Sequence, residues 1–187
     1  MFFLAQGGYM AGKAVFSQHL LARAWQQTLH DGKTQKSTHQ QVVNKPWPWA
    51  DVYPVALLRI PQLKLKQIVL NNDSGQALAF GPGLTAFVEG HDGISNIHLI
   101  SAHRDTHFQD LQHINEDAQI MLENALGNTK RYRVTNVFIM DTRVNTLTVN
   151  KEENEMVNSI ILITCYPFSS VSASTPYRFI VEAQQSF

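Results

Sequence analysis

The apolar positions change period once along the chain. Over residues 12–29 they recur every three or four residues, with Phe16, Leu20 and Ala24 in one row and Leu21, Trp25 and Leu29 in the row beside it. That spacing predicts a helix with one buried face. His30 to Asn44 is polar and free of aromatic residues, with Gly32, Thr34 and Ser37, the composition of a linker. Lys45-Pro46-Trp47-Pro48-Trp49 then forces extended backbone, because proline restricts both itself and the residue before it. The folded domain is placed from there, dividing the chain into 1–44 and 45–187. From Val52 onward the period falls towards two. Leu63-Lys64-Leu65-Lys66 alternates, Ala118, Ile120 and Leu122 share one strand face, and Tyr132, Val134, Phe138 and Met140 share another. Ser159 to Thr164 is a continuous apolar, β-branched run, the pattern of a central strand covered on both sides. Tyr177 to Val181 alternates again. Turn signals at Asn72-Asp73-Ser74-Gly75, Gly81-Pro82-Gly83 and Gly127-Asn128 separate these runs. Seven or eight short strands with few helices predict a mainly β fold, a closed barrel or a sandwich.

Composition narrows the function classes. The chain has 187 residues, 44% of them hydrophobic and 16% charged, enough for one buried core and far from a disordered composition. Fifteen basic residues balance fifteen acidic ones, so nothing favours nucleic acid as a partner. A single cysteine excludes an intrachain disulfide and a multi-cysteine zinc site. Met1 to Gly12 carries no charge and opens Met1-Phe2-Phe3-Leu4, which reads either as an apolar helix start or as the stub of a membrane anchor.

Three residues carry candidate chemistry. Cys165 ends the Ile160–Thr164 run, where a sheet displays a side chain at its edge; the alternative is a buried structural thiol. His103 ends the predicted strand Asn96 to Ala102, and a catalytic cysteine needs such a proton partner. Arg178 lies thirteen residues after Cys165 on an apolar strand, where a cation needs a carboxylate, a carbonyl or a substrate; pairing with Glu182 on the same face is the structural alternative. His103, Asp105 and His107 also form H-x-D-x-H, yet the segment follows a strand and lacks the glutamate of a zinc helix. Glu116 and Asp117 are too few oxygens for calcium. No metal and no cofactor is expected.

Taken together, these segments resemble one family. Ile161-Leu162-Ile163-Thr164-Cys165 resembles the sortase cysteine motif. Ser101-Ala102-His103-Arg104-Asp105-Thr106 resembles the sortase histidine motif, with Ala102 standing where glycine is usual. The order His, Cys, Arg and the Cys-to-Arg interval are also similar. Ala79-Phe80-Gly81-Pro82-Gly83 is similar to the loop leading into the first short helix of that barrel. Lys45 to Asp51, with Val55-Ala56-Leu57-Leu58, resembles the sortase group of Gram-negative proteobacteria.

The resemblance implies a closed eight-stranded β-barrel behind an N-terminal helical appendage. It implies a cysteine transpeptidase that cuts a Leu-Pro-x-Thr-Gly-like sorting signal on a protein substrate and passes the acyl group to an amine. His103, Cys165 and Arg178 would be catalytic. Thr164 would position substrate or line the oxyanion site, with Arg104 and Asp105 behind His103. The expected location is the inner membrane, held through the N-terminal segment, with the barrel in the periplasm. A purely hydrolytic cysteine peptidase and a noncatalytic barrel adaptor are the alternatives. Trp47 and Trp49 either cover the groove or pack the N-terminal segment against the barrel.

Overall fold

The computed structural model describes residues 2–34, 43–89, 96–147, 158–170 and 175–186, with the side chains of 2–16, 87–89 and 96 outside that description. Eight strands close into a barrel: β1 (Pro54–Ile60), β2 (Leu65–Leu70), β3 (Gly83–Glu89), β4 (Asn96–Ser101), β5 (Gln119–Asn124), β6 (Thr129–Asp141), β7 (Ser159–Tyr166) and β8 (Tyr177–Gln185). The order around the barrel is β1-β2-β3-β4-β7-β8-β6-β5, with β5 returning to β1. Neighbours are antiparallel except β2 with β3 and β4 with β7, which run parallel. Closure leaves no sheet edge, so the choice between barrel and sandwich falls to the barrel.

The two faces of β7 explain its apolar run. Ile160 and Leu162 point into the barrel core with Ile100, Tyr132, Val181 and Phe108. Ile161 and Ile163 point outward into a second cluster with Ile97, Ile180, Phe138 and Met140. A strand covered on both sides has no polar alternation to show.

Three expectations change. The face shared by Tyr132, Val134, Phe138 and Met140 is broken by a bulge between Val134 and Asn136. One extra residue reverses every later side chain, so Tyr132 and Val134 face the core while Phe138 and Met140 face outward. The alternation of Leu63 to Lys66 is not one strand. Pro61–Leu63 forms a short 3-10 turn, Lys64 takes a left-handed φ of 53°, and β2 begins at Leu65. The Ala79 to Gly83 loop follows rather than leads into the short helix α2 (Gly75–Leu78), which Ser74 caps by accepting from the Ala77 N–H. Gly83 is needed where it stands, since a Cβ there would lie 2.2 Å from the Asn72 carbonyl oxygen.

The N-terminal helix α1 (Phe2–Thr34) is longer than 12–29 at both ends. Its buried stripe is Leu21, Trp25, Thr28 and Gly32, a 3-4 spacing running between the two sequence rows. The stripe packs on β1 and β2. Thr28 is fully buried and donates its hydroxyl to the Ala24 carbonyl at 2.9 Å. Of the expected linker, residues 35–42 lie outside the described residues, and Asn44 folds back to donate to Asp31 at 3.0 Å. Trp47 packs edge-on against Phe80 with ring centroids 5.2 Å apart, whereas Trp49 is 80% exposed. Among the described residues no helix is long and apolar enough to cross a membrane.

Candidate active site

The strands that converge at one end of the barrel are β4, β7 and β8. Cys165 stands directly opposite Arg178 in the antiparallel β7–β8 pair, so the two side chains share a face. Two residues back along that face are Ile163 and Ile180, both in the outer cluster. Cys165 and Arg178 therefore project outward, at the end of an apolar floor that also holds Ile161, Phe138 and Met140.

The histidine arrives by the parallel pairing of β4 with β7. Ser101 pairs with Ile163, and beyond it the Ala102 N–H donates to the Ile163 carbonyl at 3.2 Å. The Thr164 hydroxyl donates back to the Ala102 carbonyl at 2.7 Å. Chain and partner thus stay in step to the residue before each of His103 and Cys165. From there each chain leads directly into its candidate residue, His103 exposed and Cys165 half-buried.

The other named residues lie around this trio. Thr164 is 2% exposed and on the inward face of β7, with its hydroxyl committed to Ala102. Arg104 is buried and donates to the Ser170 carbonyl at 2.9 Å, tying the histidine loop to the loop after Cys165. Asp105 is exposed. Burial, and then the charge of His103, lowers the pKa of nearby His107, against smaller raising effects of a backbone hydrogen bond at Ala79 and of the Asp105 charge. His103, Asp105 and His107 lie on turns rather than a helix, and among the described residues no three His, Cys, Asp or Glu side chains converge as a metal would need. Asp117 pairs with Arg133 at 3.5 Å.

Arg178 is not paired with Glu182. Its Nη1 donates to the Thr175 carbonyl at 2.6 Å and to the Tyr177 carbonyl at 3.0 Å. Glu182 accepts instead from the Asn136 amide at 3.4 Å. Thr175 went unnoticed in the sequence. It is one of many hydroxyl residues between Ser169 and Thr175, and although it lies three residues before Arg178, only the fold brings its hydroxyl to Tyr166. Nearby, the Asp141 carboxyl is held down to about 2 by hydrogen bonds from the Arg143 side chain and backbone. The Thr142 N–H and hydroxyl both donate to the Pro176 carbonyl.

A half-buried thiol and a guanidinium on one face, with an exposed imidazole on the adjoining loop, have the makings of acyl transfer: nucleophile, cationic donor for a developing oxyanion and proton carrier. Comparison with known proteins gives the class. The sequence model described as Sortase domain matches residues 58–186. The chain belongs to the sortase family, a family of cysteine transpeptidases, and its one cysteine is Cys165.

Solved structures agree in fold. Sortase A from Listeria monocytogenes aligns with a TM-score of 0.58 at 18% identity, over 72% of this chain and 88% of that one. A sortase D5 transpeptidase from Clostridium perfringens aligns at 0.59 and 16%, over 88% and 99%. Sortase E1 from Streptomyces coelicolor, solved with a tripeptide in its active site, aligns at 0.55 and 18%, over 72% and 88%. A search of curated proteins finds no match.

Proposed function

We propose that this sortase cleaves a Leu-Pro-x-Thr-Gly-like sorting signal on a protein substrate through a thioester on Cys165 and transfers the acyl group to an amine. The observation that carries the reading is the cross-strand pairing of Cys165 with Arg178 beside the His103 loop, at the end of an apolar floor. The Cys165 thiolate attacks the scissile carbonyl carbon. The oxyanion that forms accepts charge-assisted hydrogen bonds from Arg178. As the intermediate collapses, the carbon–nitrogen bond breaks and the His103 imidazolium protonates the departing amine. The incoming amine then attacks the thioester, His103 takes its proton, and Cys165 leaves as thiolate. The partly exposed Ile163, Phe138 and Met140 of that face suit an apolar side chain of the signal. Thr164 and Arg104 hold the frame on which His103 stands.

Cys165→Ala tests the assignment. The variant should fold, and it should lose cleavage of a quenched Leu-Pro-x-Thr-Gly peptide and the acyl-enzyme mass. Retained cleavage sinks the cysteine mechanism. On Lys45 to Asp51 we also assign the chain to the Gram-negative sortase group, held at the inner membrane through its charge-free N-terminal segment with the barrel in the periplasm. Cell fractionation should recover it with that membrane, and untethered full-length protein in the cytoplasm refutes the location.

A further inference from the structure

We propose that Thr175 is the positioning residue for Arg178, fixing which edge of the guanidinium meets the substrate. The inference rests on the role given above to Arg178. The β7–β8 ladder ends with Tyr166 opposite Tyr177, one residue beyond the Cys165–Arg178 pair. Thr175 closes the ladder beyond that point. Its hydroxyl donates to the Tyr166 carbonyl at 2.7 Å and accepts from the Tyr177 N–H at 3.3 Å. Its own carbonyl accepts from Arg178 Nη1 at 2.6 Å. One residue is therefore bonded both to the neighbour of Cys165 and to the guanidinium.

The consequence is directional. A guanidinium has five N–H donors in a rigid plane, two of them on Nη1. The Thr175 and Tyr177 carbonyls take both Nη1 hydrogens. What is left to an oxyanion is the Nε–H and the Nη2 pair, at the opposite edge of the same plane. Holding one edge turns the other towards a fixed place, and a donor already aimed needs no reorganisation as charge develops. Without the hydroxyl tie the Thr175 carbonyl is no longer registered against Tyr166, and the guanidinium regains the freedom of its long side chain. Thr142 holds the same stretch through Pro176, so the loop end stays in place when the Thr175 hydroxyl is removed.

The test is Thr175→Val, which keeps the branched shape and removes the hydroxyl. With a Leu-Pro-x-Thr-Gly peptide, kcat should fall about tenfold, the equivalent of one net hydrogen bond, while KM stays within twofold. Alkylation of Cys165 by iodoacetamide should be unchanged, and Thr175→Ser should restore turnover. In an Arg178→Ala background Thr175→Val should cost nothing further. An undiminished kcat, or an equal loss with and without Arg178, overturns the proposal. A second arm does not depend on turnover. In nitrogen-15 arginine spectra the two Nη1 hydrogens of Arg178 should be resolved in the wild type and averaged in Thr175→Val. Averaged signals in the wild type overturn the positioning role. A wild type that shows resolved signals yet forms no acyl-enzyme leaves Thr175 in place and removes the substrate reading instead.

Discussion

Thr164→Val separates two roles for the residue before the nucleophile. The sequence motif suggested contact with substrate, whereas the hydroxyl is inward, 2.7 Å from the Ala102 carbonyl, with Thr164 2% and Ala102 5% exposed. Valine has nearly the same shape, so no cavity opens and the substitution isolates the hydrogen bond. Removing a donor from a buried carbonyl costs about 1 to 3 kcal/mol. For a chain of this size each kcal/mol shifts Tm by about 2 to 4 °C, so a fall of roughly 2 to 12 °C is expected. His103 follows Ala102 directly, so loosening that carbonyl should also lower kcat modestly, by about two- to tenfold. Thermal unfolding by circular dichroism and steady-state cleavage, on the same preparation, read both. If the hydroxyl instead faced the oxyanion, its loss would lower kcat about a hundredfold or more and leave Tm unmoved. Tm within 1 °C of wild type together with such a collapse refutes the reasoning.

Two further outcomes concern the scaffold. A Cβ at Gly32 would lie 2.1 Å from the Ala125 carbonyl oxygen. Gly32→Ala should therefore force α1 off the barrel and lower stability by about 1 to 3 kcal/mol, despite the better helix propensity of alanine. A raised Tm means that the helix does not approach so closely. Burial, and secondarily the charge of Lys130, hold His98 down to about 4 against an ordinary 6.5. The unfolded chain then takes up a proton that the folded one refuses, so stability is full above pH 6.5 and declines as pH falls towards 4. The loss reaches about 3 kcal/mol. Denaturant unfolding at pH 7 and pH 4.5 should show a smaller difference for His98→Leu, and an unchanged difference assigns the acid loss elsewhere.

Some of the fold was legible because its causes are local. The Ser159 to Thr164 run read as a strand covered on both faces, and it is. Leu21 and Trp25 marked the buried side of α1. Where a local rule met a local exception, the reading slipped. The period of Tyr132 to Met140 is even, yet the bulge at Thr135 moves its second half to the outer face, and alternation alone carries no sign of an inserted residue. Lys64 sits in an alternating tetrapeptide and still turns left-handed, because Pro61 starts a 3-10 turn ahead of it. The helix ran on to Thr34 through residues that looked like linker, since Gly32 is kept for a close approach to Ala125 that no helical pattern announces.

The candidate site divides in the same way. His103, Cys165 and Arg178 stood out in the sequence through their neighbours: a strand ending, a β-branched run and a thirteen-residue interval. Their arrangement was not there to be read. His103 and Arg178 are 75 positions apart in the chain. The antiparallel register of β7 with β8 sets Cys165 opposite Arg178, and the parallel register of β4 with β7 brings the His103 loop to the end of β7. A strand's own period reports which side chains share a face, and a shift of one residue between strands reverses that sharing. Local sequence therefore determined the elements and the chemistry each could offer. Only the closed barrel decided which distant partners each group met: Tyr166 at Thr175, Ser170 at Arg104 and Ala102 at Thr164. Those contacts cross from strand to strand and loop to loop, and register between strands is a property of the whole packed sheet.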